Sequence, residues 1–183
     1  MMRCGLPATN VSVRYDPDMQ EDLVWVARDD GPLPERQLDC IARASLSTTY
    51  YVYFRDQAAQ TRYDLLYQKL EDAADMAHAR KWLRARNLLA TLPLPEKGQP
   101  LSRYAEAVEA FCGVKKASLL VVRHAHSITF AEGGLGRLTA RGIEHAAANE
   151  AQFECVMAAT SAADLKSRGI FFGLIGNAAA GPR

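Results

Sequence analysis

The sequence predicts an α+β (or layered α/β) fold made of two repeated strand-strand-helix-strand units joined by helices. Three features lead to that expectation. Four cysteines, Cys4, Cys40, Cys112 and Cys155, stand in two matching local frames. Short apolar segments rich in β-branched and aromatic residues recur at corresponding places in each half, as half-buried strands do. Between the halves lies a long stretch of helical periodicity that ends in a proline-rich linker. Strands and helices in this order bury their apolar sides in layers.

The duplication is read from the cysteine frames. CGL at 4–6 matches CGV at 112–114, and each precedes a β-like segment with a Val-Arg pair, VSVRY at 11–15 and LLVVRH at 119–124. QLDCIARAS at 37–45 matches QFECVMAAT at 152–160: glutamine, an apolar residue, an acid, cysteine, a β-branched residue, then small residues. Each frame leads into an apolar segment, TTYYVYF at 48–54 and GIFFGLIG at 169–176. Similarity in fixed order is how a duplication shows itself. Four cysteines permit three pairings, and sequence alone does not choose among them. The repeat is the one reason to select Cys4 with Cys40 and Cys112 with Cys155. The alternative is four buried thiols acting as small apolar side chains. In the chain-entropy model each bridged loop contributes about 4 kcal/mol, and such bridges persist in oxidising compartments. With no CxxC or HxxxH pairing, no metal site is expected.

Residues 1–55 form the first α/β repeat. VSVRY alternates as a strand, DPD at 16–18 turns the chain, and DLVWVA at 22–27 is the second strand. RDDGPLP breaks the chain at 28–34, with Pro34 in the first turn of a helix. Leu38, Ile41 and Ala42 form the apolar face of that helix, with Cys40 beside it, and it ends near Ser45. TTYYVYF is the third strand. Residues 56–100 are a helical connector and linker. Asp56 is its N-cap. Tyr63, Leu66, Leu70, Ala73 and Ala77 make a helical stripe that shifts to Met76, Ala79 and Leu83, predicting a kink or a second helix. Trp82 and Leu89 continue the apolar content, and LPLPEKGQP at 92–100 is the linker. Residues 101–183 form the second repeat. Ser102 caps a helix with Tyr104, Val108 and Phe111 on its buried edge, and Gly113 stands at its C-terminal cap. SLLVVRHAHSITF at 118–130 follows, then a turn EGGLG at 132–136, a helix from about Thr139 to Leu165, the last strand, and a fraying tail, NAAAGPR. All three segments are expected to pack as one compact unit.

A net charge of +1 makes no electrostatic case for nucleic acid or an anionic membrane surface. No apolar run approaches the roughly 20 residues of a membrane span. The opening MMRCG has no apolar signal core. A helix precedes CGV whereas three residues precede CGL, which points to a helix or leader lost from the front. The expected compartment is therefore the periplasm or cell envelope, with the cytoplasm as the alternative. The expected role is non-enzymatic: a disulfide-braced, duplicated module for interaction or structure, with no cofactor. Its partner is a protein or a small ligand, the latter in a cleft between the copies. Oligomeric state is not readable.

LLVVRHAHS at 119–127 and LTARGIEHA at 138–146 raise an alternative. Together they resemble the histidine phosphatase superfamily, whose members carry an Arg-His-Gly or Arg-His-Ala turn after a strand and a Leu-Thr-x-x-Gly-x-x-Gln-Ala helix start. The resemblance implies that His124 is a nucleophile and that Arg123 clamps phosphate oxygens. Leu138, Thr139, Gly142 and Ala146 match the helix start, with His145 in place of the usual glutamine. The same chemistry needs further cations, a second histidine and an acid, whereas residues 147–183 contain no histidine. The repeat also sets Tyr15 opposite His124.

Other patterns lead to bland readings. His124 and His126, two apart, share one face of a strand, and His78 pairs with Asp75 on a helix surface. GGLG lacks the spacing and the lysine of a phosphate loop. No histidine is placed to activate Cys40 or Cys155. Tyr50, Tyr51 and Tyr53 beside Phe54 are read as core aromatics, against a stacking platform for bases or glycans.

Overall fold

The same order of elements occurs twice in the computed structural model, which describes residues 2–18, 20–27, 32–48, 50–132 and 143–173, with residues 2 and 143–148 as backbone. In the first half β1 (Val11–Asp16) pairs antiparallel with β2 (Glu21–Val26). α1 (Glu35–Thr48) then crosses over, and β3 (Val52–Phe54) lies parallel to β2. α2 (Gln57–Ala85) and α3 (Leu101–Phe111) follow. In the second half β4 (Leu120–His124) pairs antiparallel with β5 (Ser127–Phe130). α4 (Ile143–Ala162) crosses over, and β6 (Phe171–Gly173) lies parallel to β5. The result is an α+β fold with two small mixed sheets, ordered β1-β2-β3 and β4-β5-β6. The chain divides into two compact units, Met1–Ala74 and Asp75–Arg183.

Register matches as well as order. Val11 faces Val26 and Val13 faces Val24 in the first sheet; Leu120 faces Phe130 and Val122 faces Ile128 in the second. Val24 lies beside Val52, and Ile128 beside Phe172. Beyond Val13 and Val122 the two hairpins diverge: Arg14 faces Leu23, whereas an irregularity after Val122 sets His124, not Arg123, opposite Ser127, the counterpart of Leu23. Trp25 corresponds to Thr129, and Tyr53 to Gly173.

In the first unit α1 buries Leu38, Ile41, Ala42 and Ser45. The three apolar ones join Val24, Val26, Val52, Phe54 and Tyr63 in one cluster. In the second unit Tyr104, Val108, Leu120, Ile128, Phe130, Val156 and Ala159 form the corresponding cluster. Each large aliphatic or aromatic side chain removed from water contributes roughly 1.5–3 kcal/mol.

Several local expectations are corrected. α1 runs to Thr48 rather than Ser45, because the hydroxyls of Ser47 and Thr48 donate back to the Ala44 carbonyl at 2.8 and 2.9 Å and hold the last turn. The third strand is correspondingly short. Pro34 lies just before the helix, its carbonyl accepting from Gln37 and Leu38 N–H at 2.9 and 3.1 Å. Residues 57–85 form one helix, not two. Its stripe shifts because the early residues Ala59, Tyr63 and Leu66 pack in the first unit's core, whereas Ala79 and Leu83 belong to a cluster of the second. Ala73 and Ala77, between these stretches, are exposed. Ser102 sits inside α3, whose N-cap is Pro100 with no side-chain cap. Asp56 does cap α2, accepting from Ala58 N–H at 2.9 Å. Gly113 ends α3 with φ +67°. There Val114 N–H donates to Glu109 O at 2.8 Å and Gly113 N–H to Ala110 O at 3.2 Å, closing the helix with a left-handed glycine. Residues 28–31 of the chain break, 133–136 of the glycine-rich turn, 139–142 of the expected helix, 174–176 of the last strand and the tail lie outside the described residues.

Helical periodicity did not anticipate Glu109. Its side chain is 0% exposed on the inner side of α3. The carboxylate accepts four backbone N–H bonds, from Ala117, from Ser118 at 3.1 Å, from Leu119 at 2.7 Å and from Leu120 at 2.8 Å. A buried carboxylate is costly without such partners. Here it ties α3 to the entry of β4 and steadies a turn in which Ala117 has φ +54°.

Glu109→Ala removes the partner of the buried Leu119 and Leu120 N–H groups, and a loss of about 3 kcal/mol or more is expected in urea unfolding of the full chain; an unchanged midpoint would refute the role given to this carboxylate. Burial pushes the Tyr63 phenol up to about 12; in the folded chain its hydroxyl donates to Ser45 Oγ at 2.8 Å. The unfolded phenol titrates near its ordinary value of 10. Its contribution to stability is thus complete below about pH 10 and is lost as pH rises towards 12. Phenolate absorbance is expected to show Tyr63 ionising together with loss of structure, not before it.

Candidate functional site

In each unit the crossover helix is clipped to the segment that enters the hairpin. Cys4 bonds Cys40 across 36 residues and Cys112 bonds Cys155 across 43, both with Cα atoms 5.6 Å apart. No cysteine is left as a free thiol, so none is available as a nucleophile. The glycine after the first cysteine is left-handed in both clips, with φ +78° at Gly5 and +67° at Gly113. The glutamine three residues before the second cysteine lies against it. Gln152 Nε2 donates to the Gly113 carbonyl at 2.8 Å. Gln37 Nε2 sits 3.3 Å from where a side chain on Gly5 would begin. Leu6 and Val114, the next residues, are both buried. This arrangement is structural: a covalent bond, a turn that needs glycine, and an amide packed over it.

The Arg-His-Ala-His stretch is a hairpin. His124 closes β4 opposite Ser127, with a register irregularity after Val122, and Ala125 and His126 make the turn. Arg123, His124 and His126 are all exposed. His126 therefore does not share a strand face with His124, because the chain has already reversed. The matching residues Leu138, Thr139 and Gly142 lie outside the described residues, as do the side chains of His145 and Ala146. Among the described residues no group of three or more histidine, cysteine or acidic side chains is placed to hold a metal ion. His78 and Asp75 line an open groove of about 310 Å³ with Trp82, Glu154, Met157 and Ser161.

The most chemically distinctive surface lies on the first sheet. Alternation sends Val24, Val26, Val52 and Phe54 into the core and therefore sends Trp25 and Tyr53 to the opposite face. Those two are register partners on parallel strands, and their rings stack with centroids 5.2 Å apart and planes at 19°. Arg14, on the neighbouring strand, places its guanidinium 5.4 Å from the centre of the indole. Arg55 follows β3, its backbone N–H held by the Val26 carbonyl at 3.0 Å. Arg14, Trp25, Val26, Ala27 and Arg55 line a hollow of about 330 Å³.

The tyrosine-rich strand is thus divided between roles. Phe54 is core, as expected, and Tyr53 faces outward. Tyr51 is half-buried and donates to Asp64 at 2.5 Å, and Gln60 Nε2 donates to the same carboxylate at 2.6 Å. Desolvation first, and then that carboxylate, hold the Tyr51 phenol well above its ordinary range. Tyr50 is exposed. Sequence reasoning passed over Trp25, Arg14 and Arg55. The signal was present in the alternation of DLVWVA, which sets the tryptophan on the side away from its flanking valines.

No protein-family model, curated protein or solved structure matches this chain. What the fold and the clips define directly is a class: a disulfide-braced α+β protein in which no described helix is long and apolar enough to cross a membrane.

Replacing Cys4 and Cys40 together by serine is expected to lower stability by about 4 kcal/mol, since the loop regains its unfolded freedom. Thermal unfolding under non-reducing conditions reads this directly; a loss under about 1 kcal/mol would mean that the bridge restrains little.

Proposed function

We propose that the protein is a non-enzymatic module that arose by internal duplication and serves an interaction or structural role in an oxidising compartment, the periplasm or cell envelope. One observation carries this reading. The unit of cysteine, left-handed glycine, buried aliphatic residue and opposing glutamine occurs in both halves, followed by an antiparallel hairpin whose first pairs match, Val11–Val26 and Val13–Val24 against Leu120–Phe130 and Val122–Ile128. Two independent origins would have to converge on spacing, backbone conformation and strand pairing together. The bridges support that compartment, since glutathione and thioredoxin keep such bonds open in the cytosol.

The non-enzymatic part rests on the histidines. A phosphoryl-transfer histidine needs a cradle of cations that excludes water, and His124 instead stands exposed at the end of a hairpin. Counted along the sequence from the shared Val-Arg pair, the corresponding residue of the first unit is a tyrosine, Tyr15, which is also exposed. A fold maintained for catalysis at that position would hardly interchange the two.

Protein prepared without reductant from its native host is expected to yield no labelled thiol, and peptide mapping is expected to recover the links 4–40 and 112–155. Four labelled thiols would end the braced-module reading. In parallel, wild type and His124→Ala are expected to be equally inert towards an aryl phosphate. Turnover by the wild type that the substitution abolishes would replace this proposal with a phosphatase.

A further inference from the structure

The first sheet has an open edge. β1 is the outermost strand of the order β1-β2-β3, and no described strand pairs with its other side. The backbone directions along it follow from its neighbours. Ala27 N–H donates to the Asn10 carbonyl at 3.0 Å, one register step beyond the pair Val11–Val26. Val24 N–H donates the other way, towards β3, to the Tyr51 carbonyl at 3.1 Å. Backbone groups alternate sides along a strand, so Asn10, Ser12 and Arg14 turn theirs to β2, and Val11, Val13 and Tyr15 turn theirs outward. Val11 N–H is already taken by the Ala8 carbonyl. That leaves the carbonyl of Val11 and both groups of Val13 and Tyr15 at the edge. The side chains of Val13 and Tyr15 are each 63% exposed. Edges are normally blunted by charges, prolines or bulges. The edge strand of the second unit has an irregularity after Val122. β1 runs through its register pairs without one, holds no proline, and carries a single charge, Arg14, before its last residue.

We propose that two copies of the chain join along this edge, β1 antiparallel to β1, with Val13 opposite Val13. A second copy is the occupant that the strand's own sequence selects. A two-fold contact must be self-complementary, and only the outward-turned residues can share ladder bonds across it. About Val13, each Val13 N–H meets the other Val13 carbonyl, and each Tyr15 N–H meets the other Val11 carbonyl. Val13 then packs on Val13 and Val11 on Tyr15. Aromatic and β-branched pairs of this kind stabilise a sheet. Arg14 comes to lie opposite the neutral Ser12. The neighbouring registers are poorer. Pairing about Arg14 sets two guanidiniums directly opposite each other, which is unfavourable. Pairing about Tyr15 brings Val13 against Pro17, which lies in the turn and has no N–H. Pairing about Ser12 sets Tyr15 against Thr9, inside the short 3-10 helix Ala8–Asn10. The strand is therefore matched to itself in one register. The inference gives the interaction role proposed above a definite partner, and it rests on that reading only in taking the module to be an interaction protein.

The test uses the full-length, unreduced protein. Sedimentation equilibrium up to about 1 mM is expected to show monomer and dimer exchanging, with a dissociation constant of about 100 μM or tighter. In a mixture of isotope-labelled and unlabelled chains, a magnetisation-transfer contact is expected between Hα of Ser12 in one copy and Hα of Arg14 in the other. Those two face each other at close range in the register about Val13 and not in its neighbours. Val13→Pro is expected to abolish the dimer and leave the thermal unfolding of the monomer nearly unchanged, because proline is tolerated where the N–H faces away from the sheet. Val13→Glu, which sets like charges opposite each other at an exposed position, is expected to weaken the dimer about fivefold or more without affecting the fold. A protein still monomeric at about 1 mM overturns the proposal, even one that takes up a foreign extended peptide. So does a dimer that both Val13 variants leave undiminished, or an inter-copy contact that fits another register. Dimerisation by a protein whose four cysteines all label would leave this edge contact standing and remove the braced-module reading, whereas intact bridges in a lasting monomer would remove the edge contact alone.

Discussion

Everything in either half hangs on holding a single crossover helix against a three-stranded sheet of short strands. Strands of three to six residues bring few ladder bonds, and a sheet that small is marginal until something covers its apolar face. α1 and α4 provide that cover, and the cystine in each unit holds the helix to the chain just ahead of the hairpin. Small cores commonly need such staples, because burial alone leaves little margin over chain entropy. The neighbouring glycine and glutamine belong to the same device. Only a residue tolerant of φ near +70° turns the chain away from the cysteine, and the amide packs over the turn.

Around that shared device the two units differ. The second is strengthened from within: Glu109 gathers four N–H groups at the mouth of β4, and α3 brings Tyr104 and Val108 into its core. The first is elaborated outward, with the Trp25–Tyr53 stack and two arginines on the sheet face away from α1. Residues on a strand answer to two environments in alternation, so one face can change its chemistry while the other keeps its packing. Arg14 and Arg123 each follow the last matching valine of their hairpin, and what distinguishes them is the register irregularity that follows Val122 alone.

Helix periodicity located α1, α2 and α3, and the apolar face of α1 follows directly from Leu38, Ile41 and Ala42. It offered a kink or a second helix within α2, and no second helix forms: a stripe that changes direction looks like a break when its two ends serve different cores. It also misjudged helix ends, since those are decided by hydroxyls such as Thr48 folding back onto a carbonyl, a contact with no periodicity. The candidate site was less legible. Trp25, Tyr53, Arg14 and Arg55 lie on three different strands or just beyond them. Nothing local tells Trp25 that its partner is Tyr53, because parallel pairing between β2 and β3 is set by where the intervening helix returns the chain.

What the sequence determined by itself was the repeated frame: the order of strands and helices, and the half of the molecule in which each cysteine would seek its partner. Those are matters of spacing along the chain, and spacing survives in one dimension. Only the tertiary structure decided the meaning of Glu109, which reads as an ordinary helix acid until the turn at 117–120 is folded over it. Likewise it turned a motif reminiscent of phosphoryl transfer into an exposed hairpin, and stacked Trp25 on Tyr53 from separate strands. Burial, register and cross-strand stacking depend on which segments meet, and that is a property of the folded core.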